Sequence, residues 1–150
     1  SCACGEVKFE YEGEPAAKAQ HQSSVEQSRG VGAIQSHQAD CAFHSGTTNS
    51  YNLMIPSDKY KILSGSLRTW SRKGDSGKNI TYHYCQNCPT ILYVTGEAIT
   101  GVNIVKMGTL DDEDVFDNLG KPGLEIYTKN RPKWCDAIPG AQQKEGGSGS

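Results

Sequence analysis

NITYHYCQNCPTILYVTG, residues 79–96, reads as two strands joined by a pair of thiols. Tyr82 and Tyr84 share one face of the first strand and His83 takes the other, the period-two pattern of a half-buried strand. The segment after the thiols, TILYVTG, is rich in β-branched and aromatic residues and ends on glycine. A lone Cys-x-x-Cys is open to two readings, a redox pair or half of a metal site. The decision lies at the other end of the chain, where Cys2-Ala-Cys4 supplies a second close pair beside the strand-like EVKFEYEG.

Two close pairs can present four thiolates to one tetrahedral Zn²⁺, whereas disulfides within such pairs would be strained. Cys2, Cys4, Cys85 and Cys88 are therefore the expected ligands of one structural zinc. Four reduced, metal-free thiols are the alternative. The chain has six cysteines, an even number that in a secreted protein would suggest a disulfide framework, but their spacing argues for metal. Cys135 stands apart as a bystander, and Cys41 lies alone in the middle of the chain.

Working outward, strand-like runs recur at YNLMI, YKILSG, LRTWSRK, VNIVKMGTL and LEIYTKN, mostly separated by Gly, Pro, Asp or Ser. The expected fold class is mainly β, a tent-like or sandwich arrangement of short antiparallel strands around the Cys4 zinc. DDEDVFDN alone reads as a short helix. Residues 20–40, polar and rich in Gln and Ser, read as an inserted loop. With 150 residues, the chain is the size of one domain, expected over 1–143, followed by a linker-like tail over 144–150.

Charge and hydropathy narrow the function. A net charge of −2 offers no basic stripe for phosphates, so no nucleic-acid partner is expected. No apolar run is long enough to span a membrane, and SCACGEVKFE lacks the regions of a signal peptide, so a cytoplasmic protein is expected. The partner that remains is a small-molecule substrate. Monomer and homodimer are both open.

Seven motifs in order carry a family resemblance: Cys-x-Cys-Gly at 2–5, GEP at 13–15, Cys-x-x-x-Ser-Gly at 41–46, DSGK at 75–78, Cys-x-x-Cys at 85–88, GTLDD at 108–112 and NRPKW at 130–134. Together they resemble the glutathione-dependent formaldehyde-activating enzymes, whose domain is shared with centromere protein V. The resemblance implies a tent-like β fold with a structural zinc on Cys2, Cys4, Cys85 and Cys88. One departure follows that knuckle, where Pro89 replaces glycine and removes a backbone donor.

The resemblance also implies a second, catalytic zinc held by a Cys-His-Cys-x-x-Cys run, and here only Cys41 survives of its three thiols. Two registrations are open. Ser36-His37-Gln38 takes the place of Cys-His-Cys, or Gln20-His21-Gln22 does so with an insertion before Cys41; the continuity from GEPAAKA favours the second. One thiolate among neutral groups is a poor zinc site. The catalytic zinc is therefore expected to be lost, and glutathione binding is in question with it. A substitute set of His37, Cys41 and His44, with His21, is the alternative.

The vacated cavity then points to acid–base chemistry. His21 and His37 are the general acid–base candidates because histidine titrates near neutrality. Cys41 is a candidate nucleophile, His44 lies one helical turn from it, and Asp40 is placed to orient a histidine. Arg131 and Trp134 are expected to pack a turn over the pocket. The resulting expectation is a divergent lyase, dehydratase, isomerase or cyclase acting on a small organic molecule, in the setting of fungal secondary metabolism that the resemblance implies. The competing readings are a carbon–sulfur lyase for a glutathione or other thiol adduct with a rebuilt metal site, and a non-catalytic zinc-stabilised binding module.

Overall fold

The computed structural model describes residues 1–13 and 32–147. Within them, strands run at β1 Lys8–Tyr11, β2 Gly32–Ser36, β3 Ser50–Pro56, β4 Tyr60–Ser64, β5 Leu67–Lys73, β6 Asn79–Cys85, β7 Ile91–Gly96, β8 Ile99–Lys106, β9 Leu124–Ile126 and β10 Gln142–Gln143. Two short helices, α1 at Ala39–Ser45 and α2 at Val115–Leu119, complete the chain with three 3₁₀ turns. Eight strands form one sheet in the order β10-β9-β2-β3-β8-β7-β6-β5, and β1 and β4 form a separate antiparallel pair. Pairing is antiparallel throughout the large sheet except at β2–β9 and β9–β10.

Register explains which face is the core. Ala33, Leu53, Val105, Tyr93 and His83 are successive cross-strand partners from β2 to β6, so all lie on one face. Ala33, Leu53, Ile55, Val105, Met107 and Leu119 form its buried cluster, with Phe9, Tyr11 and Tyr60 of the small sheet packed against them. An aromatic stack ties the two sheets together: Phe9 to Tyr60 at 5.0 Å, Tyr60 to Tyr93 at 4.9 Å and Tyr93 to His83 at 4.2 Å between ring centroids. Fully burying each aliphatic side chain of this kind contributes about 1.5–3 kcal/mol. A second cluster of Cys2, Val7, Cys85 and Leu92 closes the end of the tent where the thiols meet.

Gly65 sets the approach of β1 to that end. Its φ is +82°, and a Cβ there would stand 2.6 Å from the Glu6 carbonyl oxygen and 2.8 Å from Val7 Cα. Only glycine lets the β4–β5 turn lie against the segment that carries Cys2.

The structure revises the sequence reading in four places. Residues 32–36, read as part of a loop, form β2 in the interior of the sheet. The buried face of that strand carries Gln35 beside Ala33, so its alternation did not look apolar. VNIVKMGTL is strand only to Lys106, then turns through Met107–Thr109. LEIYTKN is strand only to Ile126, because Tyr127 adopts left-handed φ of 56° and starts a 3₁₀ turn. Finally, the backbone of Lys144 donates to the Glu125 carbonyl and Tyr127 donates to that of Gly146, so packed structure continues past residue 143.

Candidate metal centre and active-site groove

The Sγ atoms of Cys2, Cys4, Cys85 and Cys88 lie within 4.8 Å of one another. Cys2 and Cys4 sulfurs are 3.4 Å apart, and those of Cys4 and Cys85 are 3.8 Å apart. A tetrahedral zinc with Zn–S bonds of about 2.3 Å needs an S···S edge of about 3.8 Å, so the donor set fits that ion. Backbone amides are already aimed at the sulfurs: Val7 N–H donates to Cys2 Sγ at 3.2 Å and Asn87 N–H to Cys85 Sγ at 3.3 Å. Thr90 lies 3.3 Å from Cys88 Sγ through its hydroxyl, which holds that thiol down at about 6, while burial pushes the Cys85 thiol up to about 11. Metal would draw all four to thiolate and release protons. Among the described residues, this is the one metal-ligating group of three or more His, Cys, Asp or Glu side chains.

The second site lies on the opposite face of the large sheet. Trp70, Tyr82, Val94, Ile104 and Met54 are cross-strand partners from β5 to β3, and Lys106 pairs with Asn52 further along the same face. Helix α1 lies over it. His44 packs at a tilt against Tyr82 at 4.3 Å and Trp70 at 5.3 Å between ring centroids, with interplanar angles of 46° and 60°. An ion pair between Asp40 and Arg72 pins the first turn of the helix to β5. Gln38 reinforces the anchor by donating to Asp75 Oδ2 at 3.3 Å.

Beside α1, a groove of about 380 Å³ is lined by Phe43, His44, Arg68, Trp70, Tyr82, Tyr84, Pro89 and Ile91. Its wall is aromatic, with the Arg68 guanidinium 4.8 Å from the centroid of the Tyr84 ring. Burial and the nearby Arg72 charge lower the pKa of His44 below 6.5, against the opposing pull of Asp40, so the imidazole is neutral near pH 7. Burial pushes the Tyr82 phenol up to about 12, so it stays protonated. A neutral imidazole and a protonated phenol in contact are one base and one acid.

Cys41 connects the groove to the expected ancestral metal run. Its thiol donates to Gln38 Oε1 at 3.8 Å, and the Gln38 backbone N–H donates to Ser36 Oγ at 3.4 Å. These contacts involve the three positions of the first registration of the Cys-His-Cys-x-x-Cys run, Ser36, Gln38 and Cys41. The second registration, with His21, falls outside the described residues.

His37 is placed elsewhere. It is 1% exposed, and its Nε2 donates to Glu125 Oε1 at 2.9 Å in a wholly buried pair. Glu125 Oε2 accepts from Ile138 N at 2.8 Å and Gln143 Nε2 at 2.6 Å, with Arg131 Nη2 at 3.4 Å. Burial works to raise the Glu125 pKa, but the donors from His37, Gln143 and Ile138 outweigh it and hold the carboxyl below its ordinary range. His37, Cys41 and His44 therefore do not converge as a substitute ligand set. Trp134 is 76% exposed rather than packed over a pocket, while Arg131 is bound into the buried network.

Sequence reasoning singled out Asp40, Cys41 and His44, which α1 brings to one site. It missed Glu125, Arg72 and Lys106. Arg72 was legible only as a strand charge, and Lys106 as a polar interruption at the end of an apolar strand; neither has a local signal for its partner.

A family model described as glutathione-dependent formaldehyde-activating enzyme matches residues 1–130. None of the curated proteins matches the chain. Among solved structures, a Rhodobacter sphaeroides protein is similar with a TM-score of 0.55 and 14% identity, over 81% of this chain and 94% of that one. At that identity the likeness speaks to the fold alone.

Proposed function

The chain belongs to the glutathione-dependent formaldehyde-activating enzyme family, and from that premise we propose that it is an acid–base enzyme of the lyase, dehydratase, isomerase or cyclase type. Its substrate is a small, planar organic molecule that lies in the aromatic groove. One observation carries this reading: His44, neutral at pH 7, packs against Tyr82 with ring centroids 4.3 Å apart in the wall of that groove.

The residues assign themselves roles. His44 takes a proton from an acidic carbon of the substrate, and the Tyr82 hydroxyl donates to the oxyanion that forms. The proton then returns to another carbon, or a leaving group departs with it. Asp40 acts through Arg72 by anchoring α1, so it is a positioning residue. Cys41 lies at the inner side of the helix as a thiol donating to Gln38. His37 serves the fold through Glu125.

The Cys4 zinc, where bound, supplies structure by tying residues 2–4 to the β6–β7 turn. Free thiols suited to that ion fit a reducing compartment, and among the described residues no helix is long and apolar enough to cross a membrane. We therefore assign the protein to the cytosol. The thiol-adduct lyase reading would need His37 with Cys41 and His44, and Glu125 holds His37 away from such a set.

Benzylacetone, a neutral aryl ketone, tests the reading. Proton NMR in D2O should show deuterium uptake beside its carbonyl faster than in buffer, and His44→Ala should remove the excess. Uptake equal to buffer for the native protein rejects the proposal.

A further inference from the structure

Lys106 is a cation to which the proposed proton transfer assigns no direct contact with substrate. It ends β8 on the groove face, and its Nζ donates to Asn52 Oδ1 at 2.9 Å. The Asn52 amide is 4% exposed and is held in that orientation because its Nδ2 donates to Ser50 O at 3.2 Å and Ser50 Oγ at 3.0 Å. Among the described residues no carboxylate pairs with Lys106. Of the other cations over this face, Arg72 is paired with Asp40 and Arg68 lies further out over the Tyr84 ring. Burial lowers the Lys106 pKa, and Cys41, whose Sγ lies 3.8 Å from Gln38 Oε1, works against that. The Lys106 amine is therefore largely desolvated, with the neutral Asn52 as its hydrogen-bond partner and Cys41 as its acidic neighbour, an arrangement that a ligand carboxylate would complete.

The aromatic wall stands nearby. Lys106 is on β8, and β7 alone separates it from the β6 residues Tyr82 and Tyr84, about 10 Å at two strand spacings. Its charge also reaches His44 in the groove wall, where it helps keep the imidazole neutral.

We propose that the groove takes an aromatic carboxylic acid, its ring against Trp70, Tyr82 and His44 and its carboxylate, carried a few bonds from the ring, on Lys106. This rests on the groove reading above and adds the anionic end of the substrate. Arg68 is the rival cation, but it is exposed at the rim over Tyr84 and lacks a fixed polar partner.

Calorimetric titration with trans-cinnamate and with its neutral amide, cinnamamide, tests the assignment. Cinnamate should bind the native protein about tenfold to a hundredfold more tightly, the range of a hydrogen bond to a charged group. Lys106→Met should bring cinnamate to the affinity of the amide and leave amide binding unchanged. Lys106→Arg should keep part of the preference, and Arg68→Met all of it. Thermal melts establish that each variant is folded, and should Lys106→Met fail to fold, Asn52→Leu serves in its place with a reduced preference expected. Equal binding of both probes, or a preference lost in Arg68→Met and kept in Lys106→Met, overturns the Lys106 assignment and leaves the groove reading standing. Binding of neither probe overturns both.

Discussion

His37 Nε2 lies 2.9 Å from Glu125 Oε1 with both side chains fully buried, and this pair joins β2 to β9 and the C-terminal segment. Removing the Glu125 charge takes away the charged acceptor shared by His37, Ile138, Gln143 and the Arg131 guanidinium. Glu125→Gln should therefore cost about 3–5 kcal/mol in urea unfolding at pH 7. The sign with pH follows from the lowered carboxylate pKa: its stabilisation is present above the unfolded-state value and is lost as pH falls through the folded-state value. The Gln variant should lose less stability than the native protein across that acid range. Equal acid sensitivity would remove Glu125 from the account.

Zinc analysis should give one ion per chain, lost in Cys88→Ser. A strong chelator should lower the melting temperature, and the difference should shrink as pH falls, because protons compete for all four sulfurs and weaken the stabilisation that zinc gives. A protein whose melting is indifferent to chelation would refute the structural metal.

At the groove, His44→Ala should reduce deuterium exchange into benzylacetone by about 10²–10⁴-fold, the usual contribution of a general base. The acid limb of the native rate should fall below pH 6.5, since burial and Arg72 lower the pKa of His44. Arg72→Met removes one of those causes and should move the limb upward. A limb unmoved by that change would detach Arg72 from His44.

Gly65→Ala joins the fold to the metal. Its Cβ would meet backbone atoms of Glu6 and Val7 at a φ that L-residues seldom adopt. Destabilisation of about 1–3 kcal/mol is expected, with weaker zinc retention because the same segment presents Cys2. Chemical denaturation and a zinc competition assay measure the two effects separately.

The thiol pairs and the alternation of Tyr82, His83 and Tyr84 were legible because both are local. Ligand spacing and strand period need only a few neighbouring residues. The structure places Tyr82 and Tyr84 on the groove and His83 against Tyr93, as that alternation implies. β2 was not legible, since its inward Gln35 looks like loop composition until Glu125 and His37 surround it.

The amino-acid order alone thus determined the strand-rich class, the four sulfurs and the presence of Asp40, Cys41 and His44 on one short segment. Only the tertiary structure decided that His37 is a buried structural partner, that α1 is pinned by Arg72, and that Lys106 is held by the neutral Asn52 with no carboxylate paired to it among the described residues. The physical reason is distance along the chain. Glu125 lies 88 positions from His37, and electrostatic partners so separated are chosen by strand register, which no local pattern encodes.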